Sequence, residues 1–427
     1  MKKILIEPAR TDWKELVKRP VFDHASLEEL VASILTDVRQ NGDAALRKYI
    51  KQFDRTELEE LYVSEQQIAE GSSFIDEALK SAIKLAKENI TCFHETQNER
   101  VLKTETSTGV LCWRKAVAIQ NVGLYIPGGT APLFSTLLML AIPAQIAGCN
   151  NIVVCTPVGK GGKVHPAILY TAQLLGLKNI YPVGGVQAIA AMAYGTGTIP
   201  KVNKIFGPGN QYVTAAKQLV NREGVAIDMP AGPSELAVYA DETAVPAFVA
   251  ADLLSQADHG TDSQVILVAT SKEIIEAVNA ELDKQLPQLP RKEIAGAAFD
   301  NSRFVVIKDP AIAFDFLNTY APEHLIIASD AAESLSLHVI NAGSVFLGNY
   351  SAEAAGDYAS GTNHTLPTNG YATAYSGVSV DSFVKKITFQ QLSREGLTNI
   401  GPAVEIMAEA EGLTAHKNAI TIRLNKP

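Results

Sequence analysis

Two of the chain's eight histidines stand in settings suited to proton or metal chemistry. In Ala321-Pro-Glu-His-Leu325 a carboxylate and an imidazole sit side by side, stiffened by Pro322 and leading into an apolar run. Glu323 and His324 would there supply two proton-transfer groups with separable pKa values. The alternative is a surface pair at the start of a strand, since Glu is commonly exposed. Ser255-Gln-Ala-Asp-His-Gly260 closes a helix that starts near Ala244. Its Gln256 and His259, three apart, share a helix face, so an amide oxygen and an imidazole can converge on a cation. The competing reading has His259 serving the last helical carbonyls, with Gly260 just beyond. Asp357, in Ala354-Ala-Gly-Asp-Tyr358, offers a hard oxygen ligand or an Asx turn. His416, in Glu411-Gly-Leu-Thr-Ala-His416, lies near the C-terminus, where a lone histidine is commonly just solvated.

The second group of residues is built from glycine. Gly128-Gly129, Gly184-Gly185 and Gly207-Pro-Gly209 each follow an apolar strand and precede a helix, where bare N–H groups can approach a pyrophosphate. Asn210 is a good N-cap for the last of these helices. None of the turns reads G-x-G-x-x-G, and Gly162-Lys163 lacks the rest of a P-loop. Ordinary tight turns between strand and helix therefore stay open as an alternative.

These residues need elements to hold them. A capping-box spacing at Ser26-Leu-Glu-Glu29 opens an N-terminal helix with apolar Leu27, Leu30, Val31, Ile34 and Val38, which Asn41-Gly42 is expected to stop. Leu79, Ala82, Ile83, Ala86, Ile90 and Phe93 mark a second helix, and Val110 to Ile126 reads as extended. Strand, glycine turn and helix then alternate through Ile152–Cys155, Ile180–Val183 and Lys204–Phe206, which predicts a parallel sheet covered by helices. The alternation resumes at Leu236–Tyr239, Val265–Val268, Phe304–Ile307, Leu325–Ile327 and Ser344–Phe346, suggesting a second sheet domain. Asn349 to Gly377 reads as a long polar loop, of the kind that is functional or disordered, and beyond Val380 a helical pattern is expected. In an all-parallel sheet ligands sit beyond the carboxyl ends of strands, yet Glu323-His324 precedes its strand. The pair is therefore expected at the opposite sheet edge or beside an antiparallel element.

Composition narrows the class. A length of 427 residues exceeds what one core fills, so at least two domains are expected. The 37 basic against 46 acidic residues, net −9, disfavour a nucleic-acid partner. Leu133 to Cys149, broken by Pro143 and Gln145, reads as a buried helix rather than a membrane span. Met1-Lys2-Lys3 leads into only three apolar residues before Glu7, so no signal peptide is read and a cytoplasmic location is expected. The four cysteines form no C-x-x-C pair, and reduced thiols are the default.

Taken in order along the chain, the strings resemble those of the histidinol dehydrogenase family. They are Gly123-Leu-Tyr-Ile-Pro-Gly-Gly129, Val183-Gly-Gly-Val-Gln-Ala188, Lys204-Ile-Phe-Gly-Pro-Gly-Asn210, Asp228-Met-Pro-Ala-Gly-Pro-Ser-Glu235, Gln256-Ala-Asp-His-Gly260, Pro322-Glu-His324, Gly356-Asp-Tyr358 and Glu411-Gly-Leu-Thr-Ala-His416. The N-terminal third carries no diagnostic string. The resemblance implies an α/β fold of two parallel-sheet, incompletely Rossmann-like domains with small helical terminal segments. The expected division is an arm at 1–25, a catalytic domain in two parts at 26–124 and 236–378, an NAD-binding domain at 125–235 and a dimerisation segment at 379–427. It further implies a cytoplasmic homodimer that oxidises L-histidinol through the aldehyde to L-histidine with NAD as co-substrate and one Zn2+ per subunit. Gln256, His259, Asp357 and His416 would hold the metal; Ser234, Glu411 and His324, with those same four, would contact substrate; Tyr125, Gln187 and Asn210 would line the NAD site. Glu323 would activate water, His324 would act as general acid and base, and Glu411 and His416 would reach the partner's site.

Two rivals remain at this level. One is an aldehyde-dehydrogenase-like enzyme using Cys149 or Cys155 as nucleophile. The other is a two-lobed small-molecule binding protein without catalysis.

Overall fold

In the computed structural model, residues 4–20, 24–128, 132–159, 161–230 and 232–426 are described, except the side chains of 24–26. Gly129 of the first glycine turn, Ala231 and the Ser26 side chain of the expected capping box lie outside the described residues.

Among the described residues fourteen strands form three sheets. They are β1 (Ile4–Ile6), β2 (Lys103–Ser107), β3 (Val110–Ala118), β4 (Asn121–Tyr125), β5 (Asn151–Cys155), β6 (Ile180–Tyr181), β7 (Lys204–Phe206), β8 (Ala226–Ile227), β9 (Glu235–Ala240), β10 (Gln264–Ala269), β11 (Arg303–Val306), β12 (His324–Ala328), β13 (Ser344–Leu347) and β14 (Val384–Leu392). One parallel sheet runs β6-β5-β4-β7-β8 and the other β1-β11-β10-β9-β12-β13. In both, the strand order runs outward in opposite senses from an interior strand, β4 or β9, with the switch at β4/β7 and at β9/β12. The mixed α/β architecture with two parallel sheets is thus as the sequence leads one to expect.

Parallel strands buried on both faces need apolar residues at every position rather than alternate ones. In β5, Ile152 and Val154 enter one core while Val153 and Cys155 enter the other. In β9, Leu236 and Val238 likewise oppose Ala237 and Tyr239. The apolar stretch around Met139 forms the helix Phe134–Ala147, with ten consecutive residues, Ser135 to Ala144, buried. Among the described residues no helix is long and apolar enough to cross a membrane.

Several expectations change. The N-terminal helix breaks at Gly42 as expected, at a non-helical φ of 51° and ψ of −129°, but a second helical stretch follows it directly to Tyr49. Glycine supplies the positive φ that ends the first stretch. The helix His24–Tyr49 packs in the core shared by β5 and the helix Gly185–Tyr194, so it covers the five-stranded sheet. The expected boundary between 124 and 125 falls within β4, the central strand of that sheet. Beyond Val380 the helical pattern is at first one 3-10 turn, Val380–Phe383. β14 follows before any longer helix, pairing antiparallel with β3 along Val384–Leu392 and stacking Phe389 on Trp113 at 5.4 Å. Ile387 and Phe389, two apart around Thr388, carry a strand's period, which the helical reading overlooked. The helices Arg394–Ala410 and Thr414–Leu424 follow and pack on each other. The segment Asn349 to Gly377 is mostly irregular but contains the short helix Glu353–Tyr358.

Candidate functional site

Glu235 opens β9 and His324 opens β12, and these two strands are direct neighbours. Glu323 and His324 therefore lie at the amino edge of a wholly parallel sheet, which settles the tension noted above in favour of the opposite edge. The turn into β12 is shaped by Ala321, a non-glycine residue at φ 50°, which ends the helix Pro310–Tyr320 in the left-handed conformation. Both catalytic candidates are buried, with side chains 9% and 4% exposed, so neither is a surface pair.

The surrounding groups come from three elements. The Glu323 carboxylate accepts the Glu235 backbone N–H at 2.9 Å through Oε2, and the same oxygen lies 3.8 Å from His324 Nδ1. His324 Nδ1 also faces Glu235 O at 3.3 Å and Glu353 Oε1 at 3.6 Å, while Nε2 is 3.5 Å from Asp357 Oδ1. Glu353 and Asp357 are four apart on the helix Glu353–Tyr358, so one face aims both carboxylates inward. That helix sits close to β13 because residue 356 is glycine: an added Cβ would lie 2.6 Å from Phe346 Cε1. Gln256 belongs to the last turn of the helix Pro246–Ala257 and is fully buried. Its amide is assigned with nitrogen toward Glu353 and oxygen on the Glu235 N–H at 2.9 Å, the orientation that satisfies both atoms.

His259 lies just beyond that helix, near enough to Asp357 and His324 to interact electrostatically with both. Gly260 does not take the left-handed conformation, so the expected glycine cap is not how the helix ends; Asp258 is the C-cap. Asp357 is thus a helix residue rather than an isolated loop residue. His364 completes the surround, with Nδ1 against Asp357 O at 2.9 Å and Nε2 against Thr136 Oγ1 at 3.1 Å.

The electrostatics follow from burying many ionisable groups together. Desolvation pushes the Glu323 and Glu353 carboxyls up to about 8 each, against the pull of His324. Burial disfavours charge on His324, but the carboxylates of Glu353, Glu323 and Asp357 outweigh it and raise the imidazole to about 10. Asp357 also loses by burial, yet His324, His364 and His259 together hold it below the usual carboxylate range. Burial lowers both His259 and His364. His324 Nε2 and Glu353 Oε2 are buried without hydrogen-bond partners. His324, Glu353 and Asp357 bring one ligand atom each within 4.8 Å of one another, a grouping that could hold a metal ion.

The glycine turns gather at the carboxyl edge of the other sheet, where the order reverses between β4 and β7, the place such sheets bind nucleotides. Tyr125 ends β4, is buried, and its hydroxyl accepts the Gly185 N–H at 3.1 Å. Gln187, in the first turn of the helix Gly185–Tyr194, is 2% exposed with an unpartnered Oε1. Asn210 is exposed and caps the helix Gln211–Arg222, accepting from the N–H groups of Tyr212 and Val213 at 3.1 Å each. Gly207 sits at φ 128°, and a Cβ there would fall 2.1 Å from Tyr125 O. A cleft of about 600 Å³ joins the two regions, lined by Asn210, Ser234, His259, Asn369 and Pro20 among others.

The structure therefore brings together Glu323, His324, Gln256, His259 and Asp357, with Ser234 in the adjoining cleft. It does not bring Glu411 or His416 to them: both are exposed, Glu411 capping the helix Arg394–Ala410, which packs on β14 and β2, and His416 in the helix Thr414–Leu424, which packs on that helix. Sequence reasoning missed Glu353, His364, Glu235 and Arg19. Only Glu353 left a signal, four residues before Asp357.

A curated histidinol dehydrogenase of Bacteroides thetaiotaomicron is 57% identical over 425 residues, covering 100% of this chain and 99% of that one. The crystal structure of a histidinol dehydrogenase from Elizabethkingia anophelis superimposes with a TM-score of 0.97 at 55% identity, over 99% and 98% of the two chains. An acetylating aldehyde dehydrogenase from Geobacillus thermoglucosidasius, 15% identical with a TM-score of 0.50 over 89% and 94% of the chains, shares the fold alone. With the histidinol dehydrogenase family model matched from residue 17 to 424, the chain belongs to that family of oxidoreductases.

Proposed function

We propose that the chain catalyses the NAD-dependent, four-electron oxidation of L-histidinol through L-histidinal to L-histidine, the last step of histidine biosynthesis. The observation that carries this is the buried Glu323–His324 pair, ringed by Gln256, His259, Glu353 and Asp357, at the mouth of a cleft that leads to Asn210 on the nucleotide-type sheet.

The facing carboxylates keep a proton on His324 and burial favours the neutral Glu323; a divalent cation in the cluster would shift both toward their basic forms. His324 would then accept the alcohol proton as the first hydride leaves the carbinol carbon. Glu323, held by the Glu235 N–H, takes a proton from the water that attacks the aldehyde while His324 returns its proton to the carbonyl oxygen, and the gem-diol so formed loses the second hydride together with a hydroxyl proton, which His324 takes. Keeping the aldehyde in one buried site prevents its escape between the two oxidations. NAD, one molecule per oxidation, accepts the hydrides, and Tyr125, Gln187 and Asn210 would line its groove; the unpartnered Gln187 Oε1 beside the glycine turn fits such a ligand.

The donor set also fits a zinc ion: nitrogen and oxygen donors without thiolate, together with a buried imidazole nitrogen and carboxylate oxygen that lack partners. Gln256, His259 and Asp357, with His416 of the partner subunit, would hold it, Gln256 turning its amide oxygen from the Glu235 N–H toward the ion. When bound it orients the substrate's imidazole and amine and acts as a Lewis acid. The C-terminal helices suit an exchanged dimer arm, because their exposed Ile406, Met407 and Ile422 leave apolar surface uncovered. On this reading residues 125–235, together with the packed helix His24–Tyr49, form the cofactor unit, and 236–378 carry the chemistry. Ser234 lines the cleft where substrate would enter, and a cytoplasmic location accords with a biosynthetic role.

Incubation with L-histidinol and NAD while following NADH absorbance tests the reading. Two NADH per histidinol are expected from the native chain, and from Glu323→Gln at most one NADH per site with no continued turnover. No turnover by the native chain in the presence of zinc would sink it.

A further inference from the structure

We infer that Arg19, in the N-terminal segment that carries no diagnostic string, is a positioning residue for Glu323 and His324, acting through Glu235. This rests on the reading just given for that pair.

The Arg19 guanidinium is 13% exposed and makes a forked contact with Glu235, Nε to Oε1 at 2.5 Å and Nη2 to Oε2 at 2.9 Å. Nη2 also donates to Tyr320 O at 2.5 Å and reaches Ala321 O at 3.4 Å, and the guanidinium stacks 4.3 Å above the Tyr320 ring. One side chain thus grips both approaches to the site. On one side it holds the helix end and the left-handed Ala321 turn that aims Glu323 and His324. On the other it anchors Glu235, whose peptide touches three site groups: its N–H serves Glu323 and Gln256, and its C=O faces His324. The Asn369 N–H donates to the same Glu235 Oε1 at 2.7 Å, so that carboxylate is fully engaged.

The segment bearing Arg19 is itself tied down. Gln264, the first residue of β10, donates through Nε2 to Lys18 O at 2.9 Å, and Pro20 lines the cleft. A planar fork with five donors can serve a carboxylate and two carbonyls at once, which a lysine ammonium cannot do with the same geometry. Rotating Glu235 away would move the N–H that holds the water-activating carboxylate. Misplacement of a reacting group by about 1 Å costs on the order of 10²-fold in rate.

The test compares the full chain with Arg19→Lys, Arg19→Met, the pair Arg19→Met/Glu235→Gln, and Glu323→Gln, measuring kcat, both KM values and the melting temperature. The double variant removes the buried unpaired carboxylate that Arg19→Met alone leaves, so it separates folding from positioning. Expected are a double variant that melts within a few degrees of the native chain with kcat lowered about 10²-fold and KM for NAD unchanged, a loss of about tenfold in Arg19→Lys, and partial recovery of Arg19→Met by millimolar guanidinium. A double variant with native kcat, while Glu323→Gln is inactive, overturns the role of Arg19 alone. Native kcat in Glu323→Gln overturns both this inference and the assignment of the base.

Discussion

The cofactor side of the cleft depends on a buried ion pair that can be broken cleanly. Lys217 Nζ pairs with Asp228 Oδ1 and donates to Gly207 O at 2.9 Å; Asp228 accepts from the Gly207 N–H at 2.8 Å and from the Met229 N–H at 2.8 Å. The two side chains are 5% and 1% exposed, so water screens the pair little. Lys217→Met keeps the aliphatic stem but strands a buried carboxylate, a change that costs about 3–5 kcal/mol. That is roughly 10²- to 4 × 10³-fold in the opening equilibrium of the region. Because both groups hold opposite ends of the Gly207 peptide, the turn loosens with them, and Tyr125, against which Gly207 packs, loses its support. Lys217→Met should therefore unfold at a lower urea midpoint and show a raised KM for NAD. Lys217→Met/Asp228→Asn, which leaves no charge behind, should recover at least half of the lost stability. A native midpoint in Lys217→Met, or a double variant no better than the single one, would refute the claim that the pair braces this turn.

Three further outcomes bear on the site. Chelation should abolish NADH formation and zinc restore it, with His259→Asn retaining less metal on dialysis as read by metal analysis; full activity in a metal-free sample would remove the metal from the account. Cys149→Ser and Cys155→Ser should keep native kcat, because burial pushes the Cys149 thiol up to about 11 and the Cys155 thiol higher still, away from the reactive thiolate; loss of activity in either would revive the thiohemiacetal route. Mixing inactive Glu323→Gln chains with inactive His416→Asn chains should regenerate activity on subunit exchange, one hybrid site being intact, whereas no recovery despite exchange shown by mass would count against a shared site.

What the sequence makes legible follows from how locally each feature is encoded. β5 and β9 announce themselves through unbroken apolar runs, and Asn210 through the capping preference of its side chain, since both depend on residues a few positions apart. β14 is hidden because polar residues occupy both its faces, Lys385 and Gln391 beside Ile387 and Phe389, and Lys386 and Gln390 opposite them, which leaves only Ile387 and Phe389 to mark its period. The short strand β1 gives no sign of its pairing with β11, which only the assembled sheet provides.

The site was readable only where its residues travel in distinctive strings. Glu323-His324 could be singled out, but whether the pair was buried depended on β9 and β12 lying side by side, a contact across 88 positions between Glu235 and Glu323. Glu353 looks like any surface helix glutamate until the helix that carries it packs glycine-close on Phe346 and turns it inward. Arg19 has no local marker at all, because its partners lie 216 and 301 positions away. Such residues are chosen by the topology: the amino edge of a parallel sheet collects the ends of returning helices and the starts of strands, and buried carboxylates there must find cations, from the chain itself or from solution. Arg19 answers that demand for Glu235; among the described residues the cationic groups facing Glu323, Glu353 and Asp357 are histidines, so a divalent cation held there would supply the charge compensation that the chain leaves short.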